Sequence, residues 1–265
     1  MQEKEKIREH IQNNYAAVAQ NKGTDGGGCC SGSGCCGTQT VNLLDASAII
    51  GYSAEEVGHA PEGANMALGC GNPTAIAGLK AGEVVLDLGS GGGFDCFLAH
   101  RQVGETGYVI GVDMTPDMVR LARKHAHEAG FENMDFRLGE IEHLPVADAS
   151  VDVIISNCVI NLSVDKQQVF KDAYRVLKPG GRIAASDVVA TAALPEAMKA
   201  DLRLVASCIS GAEYVEDLRA MMEKAGFKEI RLVPKDNSRE LISSWAPGHK
   251  AEDYVASYLI EAVKA

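Results

Sequence analysis

A buried strand that runs directly into a glycine-rich turn constrains the fold of this chain more than any other feature. Residues 83–89 read EVVLDLG, and the turn GSGGG follows over 89–93. Four further strand-like runs come later: YVIGVD (108–113), MDFRLGE (134–140), VDVIISN (151–157) and RIAASDVV (182–189). Helix-like segments separate them, and this alternation predicts a mostly parallel, doubly wound sheet with helices on both faces. In such a sheet the ligand cleft lies beyond the carboxyl ends of the strands.

The connecting segments carry helix signals of their own. Thr115 and Pro116 predict a helix with threonine at its N-cap and proline in its first turn, and Gly130 then ends it. Further helical stretches are predicted at 94–103, at 166–177 and within 195–225. Two final strands, FKEIRLVP and EDYVASYLIEAVK, are expected to close the sheet in hairpin fashion.

The stretch before the first strand is less regular. Residues 3–20 predict a polar, weakly amphipathic helix whose apolar side is formed by Ile7, Ile11, Tyr15 and Val18. The segment KGTDGGGCCSGSGCCGTQT (22–40) has no apolar period and predicts a loop. Ser53 and Glu56 fit an N-terminal capping box, and a short helix is expected after Pro73.

Charge and composition exclude several classes of protein. The 265 residues include 36 acidic and 25 basic side chains, for a net charge of −11, and no basic stripe is present. Binding to nucleic acid or to an anionic membrane surface is therefore not expected. No run approaches the roughly 18 apolar residues of a spanning helix, and the N-terminus lacks the apolar region of a secretory signal. We expect a cytoplasmic protein whose eight cysteines are reduced, so that their clusters indicate metal binding or catalysis.

The glycine-rich turn is shared by two kinds of nucleotide site. Gly89 and Gly91 allow a tight turn and close approach of a ligand in both dinucleotide and S-adenosylmethionine (SAM) sites. A pyrophosphate would be crowded by Phe94, which stands where the dinucleotide motif has its third glycine, and repelled by Asp95. Asp113, 22 residues past Gly91, ends the next strand and can accept hydrogen bonds from both ribose hydroxyls. Three further residues are positioned to pack on or flank the base: Met114, Glu140 and Ile141.

Two sets of motifs resemble known enzymes. VLDLGSGGGFD, GVDMTP, LGEIEHLP and YRVLKPGGR resemble motifs of the class I SAM-dependent methyltransferases. More narrowly, LGCGNP, SNCVINLS, SDVVAT, CISGA and SWAPG resemble the arsenite methyltransferase family, over a match from about residue 40 to the end. The resemblance implies an α/β, Rossmann-like fold with a doubly wound, seven-stranded, mostly parallel sheet whose last strand is antiparallel. It also implies a Cys-rich N-terminal extension and a helical lid insertion.

The same resemblance implies a cofactor site and a division of the chain. SAM is the implied cofactor, with contacts expected from Asp87, Gly89, Gly91, Asp113, Met114, Glu140, Ile141 and Asn157. Asn157 is expected at the amino-acid end of the cofactor. The implied division is an N-terminal helix, Cys/Gly-rich loop and cap (1–72), a SAM-binding core (73–190), and arsenic-site lid helices with the closing strands (191–265).

Three separated cysteines carry the expected chemistry. Cys158 follows the fourth strand, Cys208 lies in the insertion after the fifth, and Cys70 stands between two glycines ahead of the sheet. Spacing alone shows no convergence, and each could be a buried core residue. The resemblance implies that the three thiols meet and bind As(III), with arsenite and methylarsenite as substrates. Cys96, one turn into the helix after the glycine loop, is expected to pack in the core.

The cysteine pairs of the N-terminal loop leave three alternatives open. Cys29, Cys30, Cys35 and Cys36 could transfer arsenic or electrons, hold a structural zinc, or form a loop without a role. The resemblance implies that one cysteine in this region joins Cys70 in redox work. Cys30 is taken as the candidate.

The expected mechanism needs thiols and no general base, because the lone pair of trivalent arsenic is itself the nucleophile. Two thiols could return two electrons to oxidised arsenic by forming a disulfide, which thioredoxin or glutathione would reduce. Two other functions remain open at this point. One is a SAM-dependent C-methyltransferase of a quinone or sterol, and the other is a non-enzymatic metalloid- or zinc-binding protein.

Overall fold

The structure, a computed structural model, describes residues 2–20, 43–199, 201, 204, 208–245 and 250–265, without the side chains of residues 2, 3, 197 and 244. Its strands are β1 (Val84–Leu88), β2 (Tyr108–Asp113), β3 (Met134–Leu138), β4 (Val151–Asn157), β5 (Leu177–Ala190), β6 (Phe227–Pro234) and β7 (Val255–Lys264). They form one seven-stranded sheet in the order β3-β2-β1-β4-β5-β7-β6. Neighbours from β3 to β5 are parallel, and β7 is antiparallel to both β5 and β6. The predicted fold class is confirmed.

Ten helices surround the sheet within the described residues. They are α1 (Gln2–Gln20), α2 (Leu43–Ile50), α3 (Ala54–His59), α4 (Pro73–Ile76), α5 (Phe94–Val103), α6 (Pro116–Glu128), α7 (Lys166–Val176), α8 (Glu196–Lys199), α9 (Val215–Ala225) and α10 (Ser238–Trp245). Two 3-10 turns accompany them, at Ile160–Leu162 and Ala251–Asp253. None of the helices in these ranges is both long and apolar enough to cross a bilayer.

Two apolar layers hold the helices against the sheet. Val85 faces α5 and α6, whereas Leu86 and Leu88 face α7 and α9. This alternation follows from the two-residue period of a strand, which directs successive side chains to opposite faces. Both layers are fully buried at these positions, so the carboxyl ends of the strands project from a rigid support.

The end of the chain differs from the sequence prediction in two respects. β6 and β7 do pair, but α10 lies between them, so they are not a tight hairpin. In addition, the helical section predicted within 195–225 contains two separate helices: α8, whose Met198 belongs to the apolar cluster of Cys70, Cys158 and Cys208, and α9, which packs on α7 and β6 through Leu218 and Met222. Amphipathic periodicity predicted a helix here correctly but could not say which face of the sheet it covers.

The N-terminal helix α1 lies beside the cleft end of the sheet. It packs on α6, and the fully buried Ile11 belongs to the same apolar cluster as the cysteines described below. Gln12 Nε2 donates a 3.1 Å hydrogen bond to the carbonyl of Met114, directly after β2. The capping box of Ser53 and Glu56 is present at α3.

Candidate active site

A cleft opens at the carboxyl ends of β1, β2 and β4, where strand order reverses. Its empty volume is about 1090 Å³, a value that includes the open mouth. The glycine-rich turn forms its floor, and α1 contributes Arg8, Ile11 and Tyr15 to its wall. The sequence predicted α1 as a helix but gave no sign that it borders the cleft.

The glycine-rich turn depends on backbone conformations that glycine adopts freely. Gly89 and Gly91 have φ of +71° and +50°, and a Cβ at Gly89 would lie 2.4 Å from Val159 Cγ2. The hydroxyl of Ser90 between them is buried in the cleft wall without a partner among the described residues.

Buried carboxylates give the cleft a preference for cations. Asp87, Asp95 and Asp113 line it, and burial raises the pKa of all three above their ordinary values, that of Asp95 to about 6. Asp113 Oδ2 accepts a 3.0 Å hydrogen bond from Gly91 N, and Oδ1 accepts one of 2.8 Å from Thr115 N. Each oxygen keeps a free lone pair for a hydroxyl. SAM, with its sulfonium, ammonium and ribose diol, fits these donors and acceptors.

The structure places most of the predicted cofactor residues at this cleft. Those that line it are Asp87, Gly89, Gly91, Asp113, Met114, Ile141 and Asn157. Glu140 is not among the lining residues, and its carboxylate lies 3.3 Å from Arg8 of the cleft wall. Glu142, two positions on, lines the cleft in its place, and its carboxylate accepts a 2.7 Å hydrogen bond from Ser163. Cofactor contacts by individual residues stay predictions.

Asn157 is engaged by the protein itself. Its Oδ1 accepts hydrogen bonds from Cys70 N at 2.9 Å and from Gly71 N at 3.2 Å. Its Nδ2 donates to the carbonyl of Gly71, to Tyr52 OH and to Asp95 Oδ2, and the Tyr52 hydroxyl donates to Asp95 Oδ1 at 2.6 Å. Asn157 therefore links the Cys70 loop to two polar residues of the cleft wall. The sequence analysis did not predict that Tyr52 and Asp95 contact Asn157.

Cys158 and Cys208 meet at the cleft wall. Their Sγ atoms and a carboxylate oxygen of Asp187 all lie within 4.8 Å of one another, and Cys158 lines the cleft. The Cys208 thiol donates a 2.8 Å hydrogen bond to the carbonyl of Cys158. Asn161 Nδ2 donates to the carbonyls of Cys208 and Val188 and so fastens the Cys208 segment to β5.

Both cysteines have a backbone conformation that side chains other than glycine seldom adopt. Cys158 has φ of +59° and Cys208 has φ of +60°. Such a left-handed conformation costs about 1–2 kcal/mol per residue and is concentrated at functional sites. The surrounding hydrogen bonds therefore hold both thiols in a strained but defined position.

Cys70 approaches the pair from the opposite side on a loop that only glycines allow. A Cβ at Gly69 would lie 2.3 Å from Asn157 Nδ2, and one at Gly71 would lie 2.0 Å from Ser186 Oγ. The fully buried Cys70 thiol is 3.5 Å from that same hydroxyl. Lys235 Nζ donates to the carbonyls of Cys70 and Ile50, so its charge lies beside the thiols. The spacing of LGCGNP is thus explained by close backbone approach.

The pKa values of Cys158 and Cys208 are both raised, which favours the protonated form of these two thiols. Burial raises the pKa of Cys158 well above its usual value, and hydrogen bonds with Cys208 and Cys70 raise it further. For Cys208 the hydrogen bond with Cys158 lowers the pKa, but burial and the nearby Asp187 outweigh it, so the net direction is upward. The Sγ atoms of Cys158 and Cys208, within 4.8 Å of each other, lie close enough to share one thiophilic atom.

Of the five other cysteines, the structure describes Cys96 alone. Cys96 is fully buried in the α5–α6 layer and donates a 3.3 Å hydrogen bond to Asp87 Oδ2, as expected for a core residue. Cys29, Cys30, Cys35 and Cys36 lie outside the described residues. The role given to Cys30 therefore stays a prediction.

Comparisons with known proteins show the family of this chain. A family model described as "Methyltransferase domain" matches residues 79–226. An arsenite methyltransferase of Halobacterium salinarum is 49% identical over 98% of this chain and 67% of its own length. One from Aquipseudomonas alcaligenes is 40% identical over 86% of this chain and 64% of its own length. The chain therefore spans about two thirds of each relative.

A solved structure extends the comparison to the fold. The X-ray structure of CrArsM, an arsenic(III) S-adenosylmethionine methyltransferase from Chlamydomonas reinhardtii, superimposes with a TM-score of 0.63 at 33% identity. The match covers 84% of this chain and 74% of that one. This chain belongs to the arsenite methyltransferase family of class I SAM-dependent methyltransferases, in which SAM is the methyl donor.

Proposed function

We propose that this chain methylates trivalent arsenic held by Cys70, Cys158 and Cys208, with arsenite and methylarsenite as substrates. The observation that carries the proposal is the meeting of Cys158 and Cys208 Sγ within 4.8 Å at the wall of the cleft. Soft thiolates select soft centres, and trivalent arsenic is one. Because the three thiols belong to distant segments, an ordinary core would not require them to converge.

Arsenic capture by these thiols needs no external base. Each thiol that binds arsenite replaces one hydroxyl, and the thiol proton leaves with that hydroxyl as water. Raised thiol pKa values are therefore compatible with binding, since the proton acceptor arrives with the substrate. Cys158, which lines the cleft, is the ligand that sets how arsenic faces the cofactor.

The protein's main contribution to the reaction is positioning. SAM, when bound, supplies an electrophilic methyl group. The strained backbone at Cys158 and Cys208 and the hydrogen bonds of Asn157 and Asn161 fix the thiol-bearing segments. The proposal requires that arsenic bound there direct its lone pair toward the cleft. Correct orientation of two reactants can supply about 7–11 kcal/mol of the barrier. Burial of the cluster also excludes water.

Turnover requires electrons, which the chain's thiols provide. Methylation raises arsenic formally to the pentavalent state, and two thiols return two electrons by closing a disulfide. A thiol reductant such as thioredoxin or glutathione then reopens it. The proposal therefore places the activity in the cytoplasm, where such reductants keep cysteines reduced.

One assay tests the function directly. The full chain is incubated with arsenite, SAM and either the thioredoxin system or glutathione, and the arsenicals are identified by mass spectrometry. Methylated arsenicals that require SAM and a reductant are expected, and Cys96→Ser serves as a matched control with full activity. Arsenite binding without SAM binding in calorimetry would instead indicate a sequestering protein. Methylation of a quinone or sterol that does not depend on thiols would indicate the C-methyltransferase.

A further inference from the structure

A second ligand set overlaps the proposed arsenic site. Among the described residues, Cys158 Sγ, Cys208 Sγ and a carboxylate oxygen of Asp187 form the group whose ligand atoms all lie within 4.8 Å of one another. The Cys70 thiol is not part of that group. All three members are buried, at 5%, 3% and 2% exposure. Two sulfurs and one oxygen are thus the donors that the fold brings closest together.

Asp187 has no place in the arsenic chemistry, yet its carboxylate is rigidly oriented. Oδ2 accepts hydrogen bonds from Ile160 N at 2.8 Å and Asn161 N at 3.3 Å, and Oδ1 accepts one from Val188 N at 2.7 Å. An ionised carboxylate offers about four lone-pair sites, so one remains free to face the thiols. Carboxylates that bind metals are commonly held by such hydrogen bonds.

The distances and the charge suit a divalent cation. A tetrahedral zinc ion with Zn–S bonds of about 2.3 Å places its two sulfurs about 3.8 Å apart, a separation that the 4.8 Å limit accommodates. Two thiolates and one carboxylate carry three negative charges, and the cation supplies two positive ones. Burial raises the pKa of Asp187 to about 6, and the pKa of Cys208 is also raised overall. The nearby buried ammonium of Lys166 opposes both shifts and supplies the third positive charge. Lys166 also lies 3.6 Å from the partly exposed carboxylate of Glu213.

We propose that Cys158, Asp187 and Cys208 bind a thiophilic divalent cation such as Zn²⁺, with water as the fourth ligand. Binding releases the two thiol protons to solvent and transfers no electrons. Because the cation occupies two of the three arsenic ligands, it competes with arsenite and inhibits methylation; this last step rests on the proposed function. The two ligand sets differ by one residue, Cys70 for arsenic and Asp187 for the cation.

That difference defines the test. The full reduced chain, with Cys29, Cys30, Cys35 and Cys36 changed to Ser to remove other thiols, is titrated with ZnCl₂ alone in a calorimeter. One ion per chain is expected. Asp187→Asn should weaken Zn²⁺ binding by at least about tenfold. In contrast, Cys70→Ser should change Zn²⁺ affinity by less than about threefold while it weakens arsenite binding by at least about tenfold.

Two outcomes overturn the proposal. One is the absence of stoichiometric Zn²⁺ binding in the parent chain. The other is a loss of Zn²⁺ affinity in Cys70→Ser that equals or exceeds the loss in Asp187→Asn. Since Asp187 also supports the turn after β4, Co²⁺ loaded into the parent chain gives a second measurement: charge-transfer absorption from two thiolates is expected, and three would contradict the assignment. All these readouts work without methylation, so a failure here is separate from a failure of the proposed function.

Discussion

The site has a cofactor end, the glycine-rich turn with Gly89 and Gly91, and a thiol end, the segments of Cys158 and Cys208. Both ends contain backbone with positive φ, but this conformation strains the backbone at the thiol end only. Gly89 and Gly91 have positive φ in the glycine-rich turn, where the absence of a Cβ makes it free of strain. Cys158 and Cys208 have nearly the same φ but carry side chains. The cofactor end is thus built from residues suited to their conformation, whereas the thiol end accepts strain to place two sulfur atoms.

The two ends also differ in how far apart their partners lie along the chain. Gly91 N and Asp113 Oδ2 are 22 positions apart, within a single strand–helix–strand unit. The contact between Cys208 Sγ and the Cys158 carbonyl spans 50 positions, and that between Cys70 N and Asn157 Oδ1 spans 87. Only a complete fold can assemble the thiol end, so each end should respond separately to substitution.

Removal of one thiol is expected to have the largest effect, and it tests whether the thiol end can lose its activity while the cofactor end keeps its affinity for SAM. Cys158→Ser or Cys208→Ser should reduce methylation of arsenite and methylarsenite by roughly 1000-fold or more, because a hydroxyl does not replace a soft ligand for arsenic. SAM affinity, measured by calorimetry, should change little. The matched control is Cys96→Ser, a buried cysteine of the cofactor-side layer. Full turnover by either active-site variant would remove that cysteine from the site.

Asn157 contacts both the Cys70 loop and Asp95 of the cleft wall. Its replacement shows whether it contributes more to arsenite binding or to SAM binding. Asn157→Ala leaves the buried N–H groups of Cys70 and Gly71 without their acceptor, a loss of about 2 kcal/mol. We expect arsenite affinity to fall roughly 30-fold and SAM affinity to fall less than about threefold. Asn133→Ala, which removes an amide bonded to the carbonyls of Gly104 and Gly107, controls for general destabilisation. A larger loss for SAM than for arsenite would instead support the predicted contact of Asn157 with the cofactor.

The contrast explains what could be predicted from the sequence. Strand period and the glycine turn gave the sheet and the position of Asp113, since these are local patterns. The convergence of Cys158 and Cys208 came only from the family resemblance, because spacing does not encode a long-range contact. Asn161 and Asp187 stand inside the motifs SNCVINLS and SDVVAT, but nothing in their neighbours shows which groups they contact.

Other differences have equally physical causes. Glu140 and Glu142 are two positions apart beyond the end of β3, where no regular period fixes side-chain direction. Both carboxylates lie near Arg8, at 3.3 and 3.5 Å, but Glu142 lines the cleft and Glu140 does not, so a cofactor contact by Glu140 stays a prediction. Thr115 is at the N-cap of α6 as predicted, yet its side chain makes no capping bond there. Its backbone N–H donates to Asp113 instead.

Asp113 tests the cofactor end alone. Asp113→Ala should weaken SAM binding by at least about tenfold, because it removes a charge-assisted hydrogen-bond acceptor for the ribose and the partner of Gly91 N. Arsenite affinity measured without SAM should stay within about twofold. Asp117→Ala, a carboxylate of the adjacent helix that pairs with Arg120, is the matched control. Unchanged SAM affinity in Asp113→Ala would exclude Asp113 from the cofactor site.

The smallest predicted effect concerns Asp95, which contacts both Tyr52 and Asn157 between the two ends. Burial raises its folded-state pKa to about 6, above the ordinary value of an unfolded chain. The folded state therefore binds this proton more tightly, so its stabilising effect is present at acidic pH and is lost as pH rises through about 6. Relative to Asp95→Asn, the parent chain should gain about 1 kcal/mol of unfolding free energy between about pH 7 and pH 5, measured by urea denaturation. Parallel pH profiles for the two chains would mean that Asp95 titrates like a solvated carboxylate and would contradict the raised pKa.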